Sequence, residues 1–147
     1  MIEIARATIN DIDRLTPLFD EYRQFYGQAP DESAAQEYLS ERIQLQQSVV
    51  FLASESGQGV GFTQLYPTFS SVSMRRVWIL NDLFVDPSSR RRGVGTQLLS
   101  IATSFAREDG AVRLVLATGV ENRSAQSLYQ RLGWKREEGF IHFEFVA

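Results

Sequence analysis

Apolar and polar positions alternate along the chain with two different periods. Residues 1–8 alternate weakly, with Ile2 and Ile4 against Glu3, Ala5 and Arg6, and predict a first strand. Thr8 with Asp11 three residues on predicts a helix entry, and Ile12, Leu15, Leu18, Phe19, Tyr22 and Tyr26 then follow one helical face. Pro17 inside that run predicts a kink or a late start of the helix. Residues 27–30 break the pattern, and Asp31 caps a second, more polar helix to about Gln44. Residues 48–54 predict a strand, which a turn at 56–59 joins as a hairpin to a strand over 60–65, with a loop over 67–73.

Residues 77–85 are apolar on both faces, as in a strand covered on both sides, and Asp86-Pro87 stops them. Leu98, Ile101, Ala102 and Phe105 recur at helical spacing. A strand over 112–117 follows, then a helix opened by residues 121–124 and closed by Gly133, then strands over 134–136 and 140–146. The expectation is one α/β domain over 1–147, with a mixed central sheet of about seven strands and about four helices.

Composition narrows the chemistry. The 147 residues are 44% apolar and 22% charged, without low-complexity tracts. There is no cysteine and one histidine, His142, so cysteine nucleophiles and multi-histidine metal sites are excluded. No apolar run approaches the roughly 20 residues of a membrane span and no signal-peptide layout opens the chain, so a cytoplasmic protein is expected. A pI of 5.2 argues against nucleic acid as a partner.

Between strand and helix lies Arg90-Arg91-Arg92-Gly93-Val94-Gly95-Thr96. Two glycines allow close backbone approach, and the first turn of the helix offers N–H groups without internal partners, a setting for a phosphate or pyrophosphate. The P-loop ending is missing, since Gln97 follows Thr96, and the dinucleotide fingerprint lacks its third glycine at Leu98. The remaining ordinary reading is a solvated arginine cluster beside a tight turn.

What fits is Arg/Gln-x-x-Gly-x-Gly/Ala after a strand ending Leu83-Phe84-Val85-Asp86-Pro87, and this resembles the acetyl-CoA loop of the GNAT N-acetyltransferase superfamily, nearest in motif to its small polyamine and diamine members. Asn122, Ala125, Tyr129 and Gly133-Trp134 repeat the family's second arrangement. The resemblance covers residues 77–134 by motif and the N-terminal half by element order. It implies that Leu83, Phe84 and Val85 contact the acetyl and pantetheine arm, that Arg90, Arg91, Arg92, Gly93, Val94, Gly95 and Thr96 cradle the pyrophosphate, and that Asn122 binds the pantetheine. Tyr129 would face the departing sulfur as general acid, since a phenol with pKa near about 10 is protonated at neutral pH. Without the motif, Tyr129 reads as an amphipathic core tyrosine and Asn122 as a helix cap.

One position departs from the resemblance. Polyamine-type relatives carry Leu-Glu-Asp in the central strand, with the Glu as base; here it is Leu80-Asn81-Asp82, and asparagine accepts no proton. Asp82 alternates to the other face, which favours a structural role, and His142 in the last strand favours a surface or packing role. A non-catalytic acyl-CoA sensor is therefore the rival to an N-acetyltransferase.

Charge suggests the acceptor. Residues 1–60 hold ten acidic side chains against four arginines, and residues 61–147 hold eight against eleven basic ones. Asp20, Glu21, Asp31 and Glu32 flank Tyr22, Phe25 and Tyr26, a combination that attracts ammonium groups. Tyr22, Phe25, Tyr26 and Asn81 are accordingly the candidate acceptor residues, and a small-molecule amine or lysine side chain the expected substrate. No metal, nucleic acid or membrane partner is expected, and assembly as a homodimer is left open.

Overall fold

A computed structural model describes all residues 1–147. The chain divides into two compact units, Met1–Leu116 and Ala117–Ala147. In the first, strand β1 (Glu3–Arg6) is followed by helices α1 (Ile12–Phe25) and α2 (Glu32–Gln44). Strands β2 (Val49–Glu55), β3 (Gln58–Ser70) and β4 (Arg75–Val85), helix α3 (Val94–Glu108) and strand β5 (Arg113–Val115) complete it. The second unit holds α4 (Arg123–Arg131). No helix is long and apolar enough to cross a membrane.

Local signals place the helix ends. The Thr8 hydroxyl accepts from Asn10 N–H at 3.2 Å while Thr8 N–H donates to Asp11 Oδ2 at 2.8 Å, a reciprocal cap. A 3₁₀ turn over Ile9–Asp11 precedes the α-helix proper, which begins at Ile12, so Pro17 lies inside the helix and not at a late start. The Asp31 carboxylate caps α2 by accepting from Ala34 N–H at 3.1 Å.

The sheet has the order β1-β2-β3-β4-β5, antiparallel except for the parallel pair β4–β5, whose crossover is α3. Alternate residues along a strand face opposite sides, and each side has its own cover. Phe62 and Phe84 pack with Phe19 and Tyr22 of α1, whereas Phe51 and Trp78 meet Phe105 of α3. Gly61 permits α3 to approach β3: a Cβ there would stand 2.9 Å from Phe84 O and 3.2 Å from Val94 Cγ1.

Three expectations need correction. The sheet has five strands, not about seven: residues 134–136 and 140–146 form no strand, and Phe140, Ile141, Phe143 and Phe145 are exposed. Alternation alone does not make a strand, which needs the ladder hydrogen bonds of a paired neighbour. Second, β3 does not end at Leu65 but runs to Ser70, paired with β4 back to Arg75, so most of the expected loop belongs to a long hairpin. Third, the even alternation expected of 77–85 is interrupted. Gln64 pairs with Asp82 and Leu65 with Leu80, leaving Asn81 as the extra residue of a β-bulge.

Within the second unit, Asn122 Oδ1 accepts from Ala125 N–H at 3.3 Å and caps α4. At the other end Gly133 has φ 93°, its N–H donates to Gln130 O at 3.1 Å, and Trp134 N–H donates to Tyr129 O at 2.9 Å. This is the left-handed helix stop predicted at Gly133.

Candidate active site

Between β4 and α3 the chain makes a 3₁₀ turn over Pro87–Ser89 and then the basic loop. Asp86 N–H donates to Val60 O at 2.8 Å and fixes the loop's entry to β3. At its exit Gly93 is the N-terminal cap residue of α3 with φ 77°, and no side chain caps this helix. The first-turn N–H groups of Val94, Gly95 and Thr96 are therefore left with no side-chain acceptor, at the positive end of a 15-residue helix. A Cβ on Gly93 would meet nothing within 4 Å, so the space before the helix end is open. This loop fits an anionic phosphate group through its backbone.

The three arginines have different roles. Arg90 Nε donates to Val85 O at 3.0 Å and its guanidinium lies 5.7 Å from the Phe84 ring centroid, so it folds back over the strand. Arg92 is held by Glu55 through two hydrogen bonds of 2.8 and 2.5 Å. That contact, first as hydrogen bond and then as charge, pulls the Glu55 carboxyl down to about 2. Arg91 takes a left-handed backbone, φ 65°, inside the loop.

Strand β5 pairs only with residues 77–79 of β4, so residues 80–85 have no strand on that side. Leu83, Phe84 and Val85 lie on this open edge, beside the loop: a Cβ on Gly95 would stand 3.9 Å from Val85 Cγ2. Open-edge backbone groups next to an anion loop can polarise a carbonyl held against them.

On the α1 and α2 side of β4, the bulge gathers polar groups. Tyr22 donates to Asn81 O at 3.3 Å, and Tyr22, Tyr26 and Phe25 stack edge to face in a row. The candidate acceptor residues thus come together, with Phe25 and Tyr26 about two-thirds exposed, 69% and 67%. Asp82 is only 3% exposed; its carboxylate accepts from Gln64 Nε2 at 2.6 Å and from Asn81 Nδ2 at 2.9 Å. Tyr66 and Tyr38 share a hydroxyl–hydroxyl hydrogen bond of 2.8 Å. Burial, followed by the Asp82 charge, pushes the Tyr22 phenol above its ordinary value. Burial, the Tyr38 hydrogen bond and then Asp82 do the same to Tyr66. Both phenols stay protonated at neutral pH.

Gln64, Tyr66 and Tyr38 were not singled out from the sequence. Gln64 alone carried a signal, a polar residue in the apolar run 60–65. Of the expected acidic wall, Asp20 is buried at 2% exposure and engaged by Arg23, Gln24 and the Asp31 N–H, so it ties α1 to the start of α2. Glu21 remains at the surface, and partial burial followed by the charge of Asp86 holds its carboxyl above the ordinary range. In the second unit Asn122 spends its side chain on the α4 cap, and the half-buried Tyr129 ring lies 6.1 Å from that of Trp134.

Comparison with known proteins agrees with this arrangement. Residues 15–134 match the family model described as acetyltransferase (GNAT) family. An uncharacterized N-acetyltransferase, YhfO of Bacillus subtilis, is 47% identical over 142 residues, covering 97% of this chain and 95% of its own. The crystal structure of a probable acetyltransferase superposes with TM-score 0.93 at 39% identity, over 99% of this chain and 97% of that one. An aminoglycoside N-acetyltransferase in complex with CoA shares the fold, TM-score 0.81 at 23% identity over 100% and 96%. GNAT acetyltransferases use acetyl-CoA, and this chain belongs to the GNAT family as an acetyl-CoA-dependent N-acetyltransferase.

Proposed function

We propose that this enzyme moves the acetyl group of acetyl-CoA to a primary amine of a cationic small molecule or a lysine side chain, by direct attack and with Tyr129 as general acid. The observation that carries the anion half of this reading is the helix α3 with no side-chain cap, entered through the left-handed Gly93 beside the open edge of β4. Backbone N–H groups of residues 94–96 receive the pyrophosphate, and Leu83, Phe84 and Val85 lie against the acetyl and pantetheine arm. Asn122 serves the pantetheine while capping its helix.

In the reaction the amine nitrogen forms the new bond to the acetyl carbon, the carbon–sulfur bond breaks, the amine gives up a proton to solvent, and Tyr129 supplies the proton the leaving sulfur needs. Open-edge backbone groups of β4 stabilise the oxygen of the tetrahedral intermediate.

The charge of the acceptor is read from the acidic excess of the first sixty residues, of which Glu21 remains at the surface. A steady-state panel of diamines, an aminoglycoside-like amine, a lysine peptide and an amino acid tests this at about 20 and 300 mM salt, between which the screening length falls roughly fourfold. The expected result is a cationic best acceptor whose kcat/KM falls as salt rises. An anionic best acceptor, or a salt-independent kcat/KM, would refute it.

A further inference from the structure

Glu55 and Arg92 stand 37 residues apart in the chain and meet in two parallel hydrogen bonds, Arg92 Nη1 to Glu55 Oε1 at 2.8 Å and Nη2 to Oε2 at 2.5 Å. Such a fork-to-fork pair fixes distance and orientation at once. The two side chains are 46% and 26% exposed, and an ion pair this open to water stabilises a fold only modestly. Glu55 has one other partner, the Met1 ammonium at 3.5 Å. What the pair joins therefore matters more than what it adds to stability. Glu55 is the last residue of β2, and Arg92 directly precedes Gly93, the cap residue of α3.

The backbone to which Arg92 belongs has little else to hold it. Arg91, with φ 65°, and Gly93, with φ 77°, are both left-handed, and none of the N–H groups of residues 91–93 donates to a protein acceptor. Left-handed backbone at a residue other than glycine persists only where its surroundings enforce it. On one side of Arg91 that restraint is Arg90 Nε on Val85 O at 3.0 Å, and on the other it is the Arg92–Glu55 fork. Charge alone gives Glu55 no place here, because a carboxylate beside an anion loop repels the ligand. Its geometry gives it one.

We infer that Glu55 is a positioning residue for the cofactor: through Arg92 it holds residues 91–93 on the left-handed path that aims the N–H groups of residues 94–96 at the pyrophosphate. The inference rests on the reading of this loop as the acetyl-CoA site and deepens it, by placing a determinant of cofactor affinity on β2, a strand that carries none of the site residues. Arg92 then serves the cofactor by way of its brace. Its guanidinium is committed to β2, and the backbone meets the anion.

The test is a double-mutant cycle on the full chain, with the Kd for CoA measured by titration calorimetry well below the melting transition and Tm recorded without ligand. Glu55→Met and Arg92→Met each keep a long side chain and remove one half of the fork. Each single variant and the double variant should bind CoA about tenfold more weakly than the wild type, all three alike, because each removes the same brace. A role through charge alone predicts a different pattern: Glu55→Met would bind CoA more tightly, and the double variant as the wild type does. A contribution to stability alone would lower Tm and leave Kd unchanged. Wild-type or tighter affinity in Glu55→Met therefore overturns the inference. So does a double variant whose loss is the product of the single losses, since two independent effects would then be at work. Failure of the wild type to bind CoA would overturn the reading of the loop itself, before any variant is made, so the two failures are separable.

Discussion

Alanine at Gly93 and at Gly95, two residues apart in one loop, should move stability in opposite directions. Gly93 has φ 77°, where an L side chain strains against its own backbone even though nothing lies within 4 Å of the added Cβ. That strain costs roughly 1–2 kcal/mol, and the stiffer unfolded chain returns roughly 0.4–1, leaving a net loss of about 1 kcal/mol. At Gly95 the backbone is helical, and the Cβ would stand at an ordinary 3.9 Å from Val85 Cγ2. Here the better helix propensity of alanine gains up to about 1 kcal/mol. For a chain of this size each kcal/mol moves Tm by about 2–4 °C. Thermal melting without ligand should therefore show Gly93→Ala about 3 °C below wild type and Gly95→Ala at or above it. With CoA, Gly93→Ala should lose more of the ligand-induced rise, because the left-handed residue is what turns the first helical N–H groups outward. A Gly93→Ala protein as stable as wild type, with an unchanged CoA response, would refute this account of the loop.

Two further outcomes are expected, the first from the proposed role of Tyr129 and the second from the Glu55–Arg92 pair. Tyr129→Phe keeps the ring beside Trp134 and removes the hydroxyl, so kcat should fall about 10²-fold or more with little change in KM for acetyl-CoA; an unchanged kcat would return Tyr129 to a packing role. Glu55 has a folded pKa of about 2 against an ordinary 4.5, so its pairing with Arg92 contributes stability above 4.5 and loses it as pH falls through about 2. The Tm difference between wild type and Glu55→Gln should accordingly shrink across that window, and a constant difference would show the pair to be without effect.

What the sequence disclosed and what it hid divide along physical lines. The caps at Thr8 and Asp31 and the stop at Gly133 were readable because each is a contact between residues a few positions apart. The loop at 90–96 was readable because glycines and a following helical period are local too. The bulge was not. It exists only in the register between β3 and β4, and no pattern within β4 alone marks Asn81 as the extra residue. The placement of Asp82 on the face of Gln64 depends on that register. The true length of β3 was hidden by Pro67, which in isolation argues against a strand but here pairs opposite Trp78. Residues 134–146 erred in the other direction. Their alternation is genuine, yet a strand needs a neighbour, and in the observed sheet β5 is the last. Finally, Tyr22 and Asn81 were each legible as candidates, but their meeting through a 3.3 Å hydrogen bond is a tertiary fact.

The central claim is acetyl transfer to an amine, and the most direct measurement follows free thiol and acetylated product together. Acetyl-CoA and a cationic diamine are incubated with the enzyme, with thiol read optically and product by mass spectrometry. The account predicts stoichiometric release of CoA thiol and N-acetyl-diamine, both absent without the amine. Tight acetyl-CoA binding with no thiol released by any amine would contradict it and leave the chain as an acyl-CoA-binding protein without catalysis.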